Sequence, residues 1–208
     1  MNLKTLIPIV LLLPLIPAEG GVTETEAKTT VTVETTPFDQ GKLELEGATG
    51  AYFSVGHAGQ RSLNYSSSAY RLGVMLYTPS GDSWLRGNFE LMLQVFEGSV
   101  ISGPGHYLVG AAPILRYNFV QPNAKWVPYI QIGGGGVYND ISKNQGQRLI
   151  GQQWEFDLEA ATGIQYMFND RWSANIEADY RHISNADMSS RNIGLNSLGG
   201  SAGLGFHF

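Results

Sequence analysis

The chain has 208 residues, one domain's worth, with 13 basic and 18 acidic side chains and no cysteine. The net charge of −5 gives nucleic acid no electrostatic hold, and the lack of cysteine excludes disulfide scaffolds, thiolate metal sites and cysteine nucleophiles. Mean hydropathy is −0.10, as in a soluble protein, yet charged residues are only 15% and glycine is 26 of 208. Typical soluble domains have roughly 25% and roughly 7%. Few charges with many glycines and aromatics suggest β-structure, its apolar surface hidden in the average by alternation.

Residues 1–18 read as a secretory signal: Lys4, an apolar run from Leu6 to Ile16, and the small Ala18 before a cut. The run is shorter than the roughly 20 residues of a membrane-spanning helix, and Pro8, Pro14 and Pro17 disfavour a packed one. The mature chain is therefore expected outside the cytoplasm. Residues 19–45 are rich in Thr and Glu and poor in large apolar side chains, which predicts a mobile tail.

From residue 46 to 208 the chain alternates with period two. Tyr70, Leu72, Val74 and Leu76 oppose Arg71; Phe89, Leu91, Leu93 and Val95 oppose Glu90, Met92 and Gln94. Tyr107 to Phe119 continues the pattern against Arg116 and Asn118. Trp154, Phe156 and Leu158 oppose Glu155, Asp157 and Glu159, and Trp172 to Tyr180 opposes Glu177, Asp179 and Arg181. Soluble strands usually run about 5–6 residues. These run longer and end in aromatics, as tilted membrane-spanning strands do. The polar face, including Arg71, Arg86, Arg116 and Arg181, is expected to pair with the acids inside a narrow lumen.

The predicted strands are 46–56, 67–78, 86–97, 106–119, 126–139, 152–168, 171–183 and 196–208. Connections at 57–67, 97–105, 140–151 and 184–195 read as long, and those near Pro79, Pro122 and Asn169 as short. Short turns on one side and longer loops on the other define an all-β, eight-stranded antiparallel transmembrane β-barrel of the outer-membrane type. The C-terminal Leu204-Gly205-Phe206-His207-Phe208 fits the final strand of such barrels.

The chemistry-bearing segment is Arg181-His182-Ile183-Ser184-Asn185-Ala186, followed by Asn192-Ile193-Gly194-Leu195-Asn196. His182 and Ser184 continue the outward parity of Trp172 to Tyr180, so both face lipid at a strand end. Two strand positions are roughly 7 Å apart, within reach of a leaning imidazole. Unpaired polar groups on such a wall are costly. A histidine that takes the proton of a serine makes a nucleophile from a weak alcohol. Elsewhere Gly133 to Gly136 lacks the Lys-Ser/Thr of a phosphate loop and reads as a bulge, or a place where a neighbour or an acyl chain packs closely. His57, His106 and His207 are scattered singly, and the acids Glu155, Asp157 and Glu159 read as salt-bridged, so no metal site is expected.

The His-x-Ser-Asn-Ala stretch and the Asn-x-Gly element resemble the lipid A 3-O-deacylase family (PagL-type, acyloxyacyl hydrolase-like). That family is an eight-stranded outer-membrane barrel with a Ser-His-Glu triad on its outer wall, cleaving the ester-linked acyl chain at the 3-position of lipid A. The resemblance implies that Ser184 is the nucleophile, His182 the general base and later acid, and Asn185 a holder of the oxyanion. No cofactor is implied. The family's acid falls about where Asn196 stands, and no Asp or Glu occurs from Met188 to Phe208. Asn196 shares the outward parity and could orient the imidazole; Asp187 could supply the charge instead; or the site is degenerate.

The expectation is thus an outer-membrane serine esterase acting on lipid A of lipopolysaccharide in the outer leaflet, with membrane but no nucleic acid as partner. Monomer or homodimer is left open. The competing readings are a non-enzymatic small barrel of the OmpA/OmpX sort, serving surface interaction or envelope integrity, and a soluble lipocalin-like binder.

Overall fold

The structure, a computed structural model, describes residues 35–55 and 62–208. The expected signal, most of the expected tail and His57 lie outside the described residues. Eight strands follow the alternation: β1 (Leu43–Ser54), β2 (Asn64–Met75), β3 (Asn88–Ser102), β4 (Tyr107–Asn118), β5 (Trp126–Asn139), β6 (Trp154–Met167), β7 (Trp172–Ser184) and β8 (Leu195–His207). Each pairs antiparallel with the next, and β8 pairs back onto β1, so the barrel is closed. Among the described residues, no helix is long and apolar enough to cross a membrane.

Closure carries a stagger. The register runs from Leu45 through Leu72, Leu93 and Pro113, and passes on through Leu158 and His182 to Asn196. It rejoins β1 where Val55 N–H donates to Asn196 O, ten residues beyond Leu45. Such a stagger with eight strands tilts them against the barrel axis and leaves an interior just wide enough for side chains to fill.

That interior is filled. Arg71 binds Glu46 at 2.6 Å and Glu177 at 3.0 Å, while its Nε donates to Gln94 at 2.7 Å. Gln94 passes the chain to Glu159 at 2.9 Å, which also binds Arg181 at 2.6 Å. Arg116 binds Glu46 at 3.0 Å and lies over the Tyr129 ring at 4.1 Å. An apolar cluster including Tyr65, Leu108 and Ile150 caps one end, and Phe38, Met75, Val120, Val127 and Met167 cap the other. The described residues leave a plugged scaffold, so its chemistry belongs on the wall or the loops.

The outward residues along the middle of the wall are mostly apolar: Leu72, Leu93, Ile132, Leu158 and Ile176 are each more than half exposed. Aromatic bands border this wall. Tyr107, Tyr138 and Trp154 are neighbours at one end; Trp126–Tyr166 and Trp172–Phe206 pack as tilted pairs at the other. The former end carries loops 140–153 and 185–194 and is the outer one by the usual barrel asymmetry.

Four expectations are corrected. Residues 35–45 do not behave as tail: Phe38 is 3% exposed in the inner plug, and β1 starts at Leu43. The apolar content of that stretch is low, but one aromatic suffices to anchor it. Arg86 is not in the lumen; it lies in the connection before β3 and donates to Val120 O. The connection 97–105 shrinks to 103–106, because β3 continues to Ser102. The first turn is longer than expected, spanning 76–87 with a Ser80–Gly87 bridge.

The lumenal charges make a test of the scaffold. Arg116→Met should leave Glu46 buried with one cation fewer and lower stability by about 3 kcal/mol, the usual cost of breaking a buried pair. Urea unfolding in detergent micelles, followed by gel mobility, reads this. An unchanged midpoint would show that Arg116 holds nothing together.

Candidate active site

The site begins with the register of β7 and β8. His182 stands directly opposite Asn196, and Ser184, the last residue of β7, stands two places beyond on the same outward face. Side chains on one face at that spacing can meet if one is long and leans along the strand. The imidazole does so: its Nε2 lies 2.9 Å from Ser184 Oγ and its Nδ1 2.6 Å from Asn196 Oδ1. A carbonyl oxygen only accepts, so the Nδ1 nitrogen donates to it. Nε2 is then the acceptor, turned towards the serine hydroxyl. This is the tautomer that a general base needs.

Two further residues shape the imidazole's surroundings. Gly194, at the end of loop 185–194, has φ +80°, and a Cβ there would sit 3.0 Å from His182 Cε1. Its N–H donates to Leu149 O at 3.0 Å and that of Ile193 to Arg148 O at 3.2 Å, which ties the loop to loop 140–153. Arg191 tightens the same joint by donating to the carbonyls of Ser142, Asn144 and Gly151. Tyr180 comes from the strand itself: its hydroxyl donates to Asn196 Oδ1 at 2.9 Å.

Asn185 does not join this group. It is 0% exposed and faces the lumen, since it carries on the inward parity of Asp179, Arg181 and Ile183. Its side-chain amide donates to Glu155 Oε1 at 3.4 Å and Arg191 O at 3.3 Å, and its backbone N–H to Asn192 Oδ1 at 2.9 Å. The structure thus does not place the side chain expected to hold an oxyanion on the outward face that carries Ser184. Asp187 lies in the loop, where its Oδ1 accepts from Asn192 Nδ2 at 2.9 Å. Asn196, not Asp187, is thus the residue brought to His182.

The backbone just after Ser184 is unusual. Ala186 (φ 50°) and Asp187 (φ 64°) are successive non-glycine residues in the left-handed region, closed into a turn by Met188 N–H donating to Asn185 O at 3.0 Å. Isolated cases are uncommon for such residues, and a pair of them next to Ser184 marks this turn for a functional reading. Neither of their own N–H groups has a hydrogen-bond acceptor among the described residues.

A groove runs from Ser184 down the wall. The outward positions Gly134 and Gly136 of β5 carry no side chain, and Trp154, Phe156 and Leu158 of β6 border the hollow, with Ala186 near the serine. A Cβ at Gly134 would meet Leu158 Cδ2 at 3.0 Å, so the hollow depends on glycine. Gly133 and Gly135 face inward, where Gly135 lets β5 pass Ala111 O closely. The other described histidines have their own places. His106 pairs with Asp140 at 2.9 Å on the outer loops, and His207 lies in the lumen 3.7 Å from Glu44. From the sequence, the alternation could have given the direction of Asn185 and the proximity of Tyr180 to His182. The contact of Gly194 with the imidazole depends on loop packing and had no local signal.

Fold and site together define an outer-membrane barrel that carries a Ser–His–Asn hydrogen-bond chain on its lipid-facing rim. The chain matches the lipid A 3-O-deacylase (PagL) family over residues 50–205 and belongs to that family. Among solved structures, it resembles the outer membrane enzyme PagL at 21% identity, over 77% of this chain and 97% of that one, with a TM-score of 0.53. It resembles Neisserial surface protein A at 13% identity, over 81% of this chain and 100% of that one, with a TM-score of 0.58. At these identities the structural likenesses bear on the fold alone. No curated protein sequence matches the chain.

The glycine beside the imidazole gives a direct check. Gly194→Ala adds a Cβ against His182 at a backbone angle that L-residues resist. Labelling of Ser184 by a fluorophosphonate probe should slow about 100-fold, the usual effect of a 1 Å misplacement, with the barrel's heat-shifted gel mobility unchanged. Equal labelling rates would show that Gly194 does not set the ring's position.

Proposed function

We propose that the protein is a serine esterase that removes the ester-linked 3-O-acyl chain of lipid A within the outer leaflet. The observation that carries this reading is the Ser184–His182–Asn196 chain on a wall that meets lipid, in a member of the lipid A 3-O-deacylase family. A polar triad-like arrangement has no structural use on an apolar surface. It is useful there if the scissile bond arrives along that surface.

The steps follow from the geometry. Ser184 Oγ attacks the ester carbonyl carbon while His182 Nε2 takes the hydroxyl proton. The carbonyl oxygen gains charge, and its stabilisation is worth roughly 3–4 kcal/mol per well-placed donor. The N–H groups of Ala186 and Asp187 supply donors in this proposal, because the turn follows Ser184 directly and neither group has an acceptor among the described residues. His182 then gives the proton to the departing sugar oxygen. Water, deprotonated by the same nitrogen, releases the fatty acid from the acyl-serine. Asn196 keeps the imidazole in its Nδ1–H form throughout. The glycine groove receives the acyl chain, so the ester reaches Ser184 without leaving the bilayer.

Mass spectrometry of lipid A from cells with and without the protein tests the reading. The expected product lacks one 3-hydroxyacyl chain, and free 3-hydroxy fatty acid appears. Ser184→Ala and His182→Gln should each lower the rate by at least about a thousandfold, since members of such a unit fail together. Asn196→Ala should cost about a hundredfold. Lipid A of unchanged mass with the wild type would sink the enzyme reading and leave a non-enzymatic barrel. Loss of activity in Asp187→Ala but not in Asn196→Ala would overturn the choice of orienting residue.

A further inference from the structure

The triad position opposite His182 holds an amide, and an amide has two unlike ends. A carboxylate accepts through either oxygen, so a half-turn of its side chain changes nothing for the histidine. A half-turn of Asn196 would present Nδ2–H to His182 Nδ1. The ring would then have to accept there, carry its proton on Nε2, and lose the lone pair aimed at Ser184. The orientation of Asn196 therefore matters to the site, and a group that tells its two ends apart contributes to setting the tautomer of His182.

We propose that Tyr180 is that positioning residue. This rests on the serine-esterase reading of the same site. Tyr180 is two places before His182 on the outward face of β7, 41% exposed on the apolar wall, and its hydroxyl donates to Asn196 Oδ1 at 2.9 Å. With the amide as it stands, the hydroxyl hydrogen is bound. With the amide turned, the tyrosine oxygen could accept from Nδ2, but its own hydrogen would point into hydrocarbon without a partner. Unsatisfied donors in apolar surroundings are strongly disfavoured. Tyr180 thereby favours the orientation in which Oδ1 faces both donors, and that orientation sets the tautomer of His182. His182 itself cannot decide the matter, because a neutral imidazole satisfies either end of the amide by moving its proton.

The test is a two-by-two set: wild type, Tyr180→Phe, Asn196→Asp and the double variant, in detergent micelles. Phe keeps the ring and removes only the hydroxyl. In the Asn196 background, Tyr180→Phe should lower kcat about tenfold and leave KM unchanged. In the Asn196→Asp background, where both ends accept, the same change should cost less than twofold. Imidazole 15N shifts, with the His182 signals assigned by their loss in His182→Gln, give a readout that needs no turnover. Wild type should show one Nδ1–H tautomer, Tyr180→Phe a mixture, and the double variant the single form again. An unmixed Nδ1–H signal in Tyr180→Phe would overturn the proposal. So would an equal kcat loss in both backgrounds, or an effect confined to KM. Should the wild type fail to release fatty acid, the esterase reading falls, while the 15N tautomers still decide whether Tyr180 orients the amide.

Discussion

The rest of the structure depends on one constraint: inside a bilayer every backbone N–H and C=O must find a partner within the protein. The β1–β8 ladder meets it by removing the last sheet edge. Closure at a stagger of ten leaves each strand residue only two destinations, lumen or lipid. A one-residue slip anywhere would exchange Glu155, Asp157 and Glu159 for Trp154, Phe156 and Leu158, putting carboxylates into hydrocarbon and indole into an ion-paired core. The register is thus held by a penalty at every position, and the site inherits that precision.

The lumen gives the wall its rigidity. Arg71, Arg116 and Arg181 pair with carboxylates of β1, β6 and β7, so that five strands are joined, and the apolar plugs close both ends of this network. Outer loops pack down into one plug through Ile141, Leu149 and Ile150, and the Arg191 guanidinium gathers carbonyls of loop 140–153. The loop that follows Ser184 is therefore a fixed part of the barrel mouth. That is why Gly194 can lie so near the imidazole, without being in the same strand, that an added Cβ would crowd it. Rigid elements with supported neighbours are the setting in which a short hydrogen-bond chain keeps its geometry.

Much of this was legible in the sequence because alternation is a local signal. The bounds of β5 come out at 126–139 from either direction, and the outward parity of His182 and Ser184 follows from Trp172 onward. The same parity argument, carried one residue further, would have turned Asn185 inward; family resemblance overrode it. Phe38 was read as tail because composition averages over a stretch and cannot see a single anchoring ring. The extension of β3 to Ser102 was hidden by its polar end, where Glu97 and Ser99 break the apolar face. Contacts between loops, such as Gly194 N–H to Leu149 O, join residues 45 positions apart and leave no periodic trace.

The amide at position 196 brings these threads together. A carboxylate beside a catalytic histidine has two functions: it fixes the tautomer and it offsets the charge that develops on the ring. An amide supplies the first alone. On a wall that touches lipid, the second function has its own penalty, because an ionised carboxylate that is desolvated must be matched by nearby charge. Arg181 and Arg191 are already engaged, one with Glu159 in the lumen and the other with loop carbonyls. A neutral acceptor at the rim avoids that unmatched charge but supplies nothing to offset an imidazolium. In the proposed reading, orientation is the property the site must secure, through groups that a list of acids and bases would pass over: a tyrosine hydroxyl, a glycine without a Cβ, and a register that sets His182 opposite Asn196.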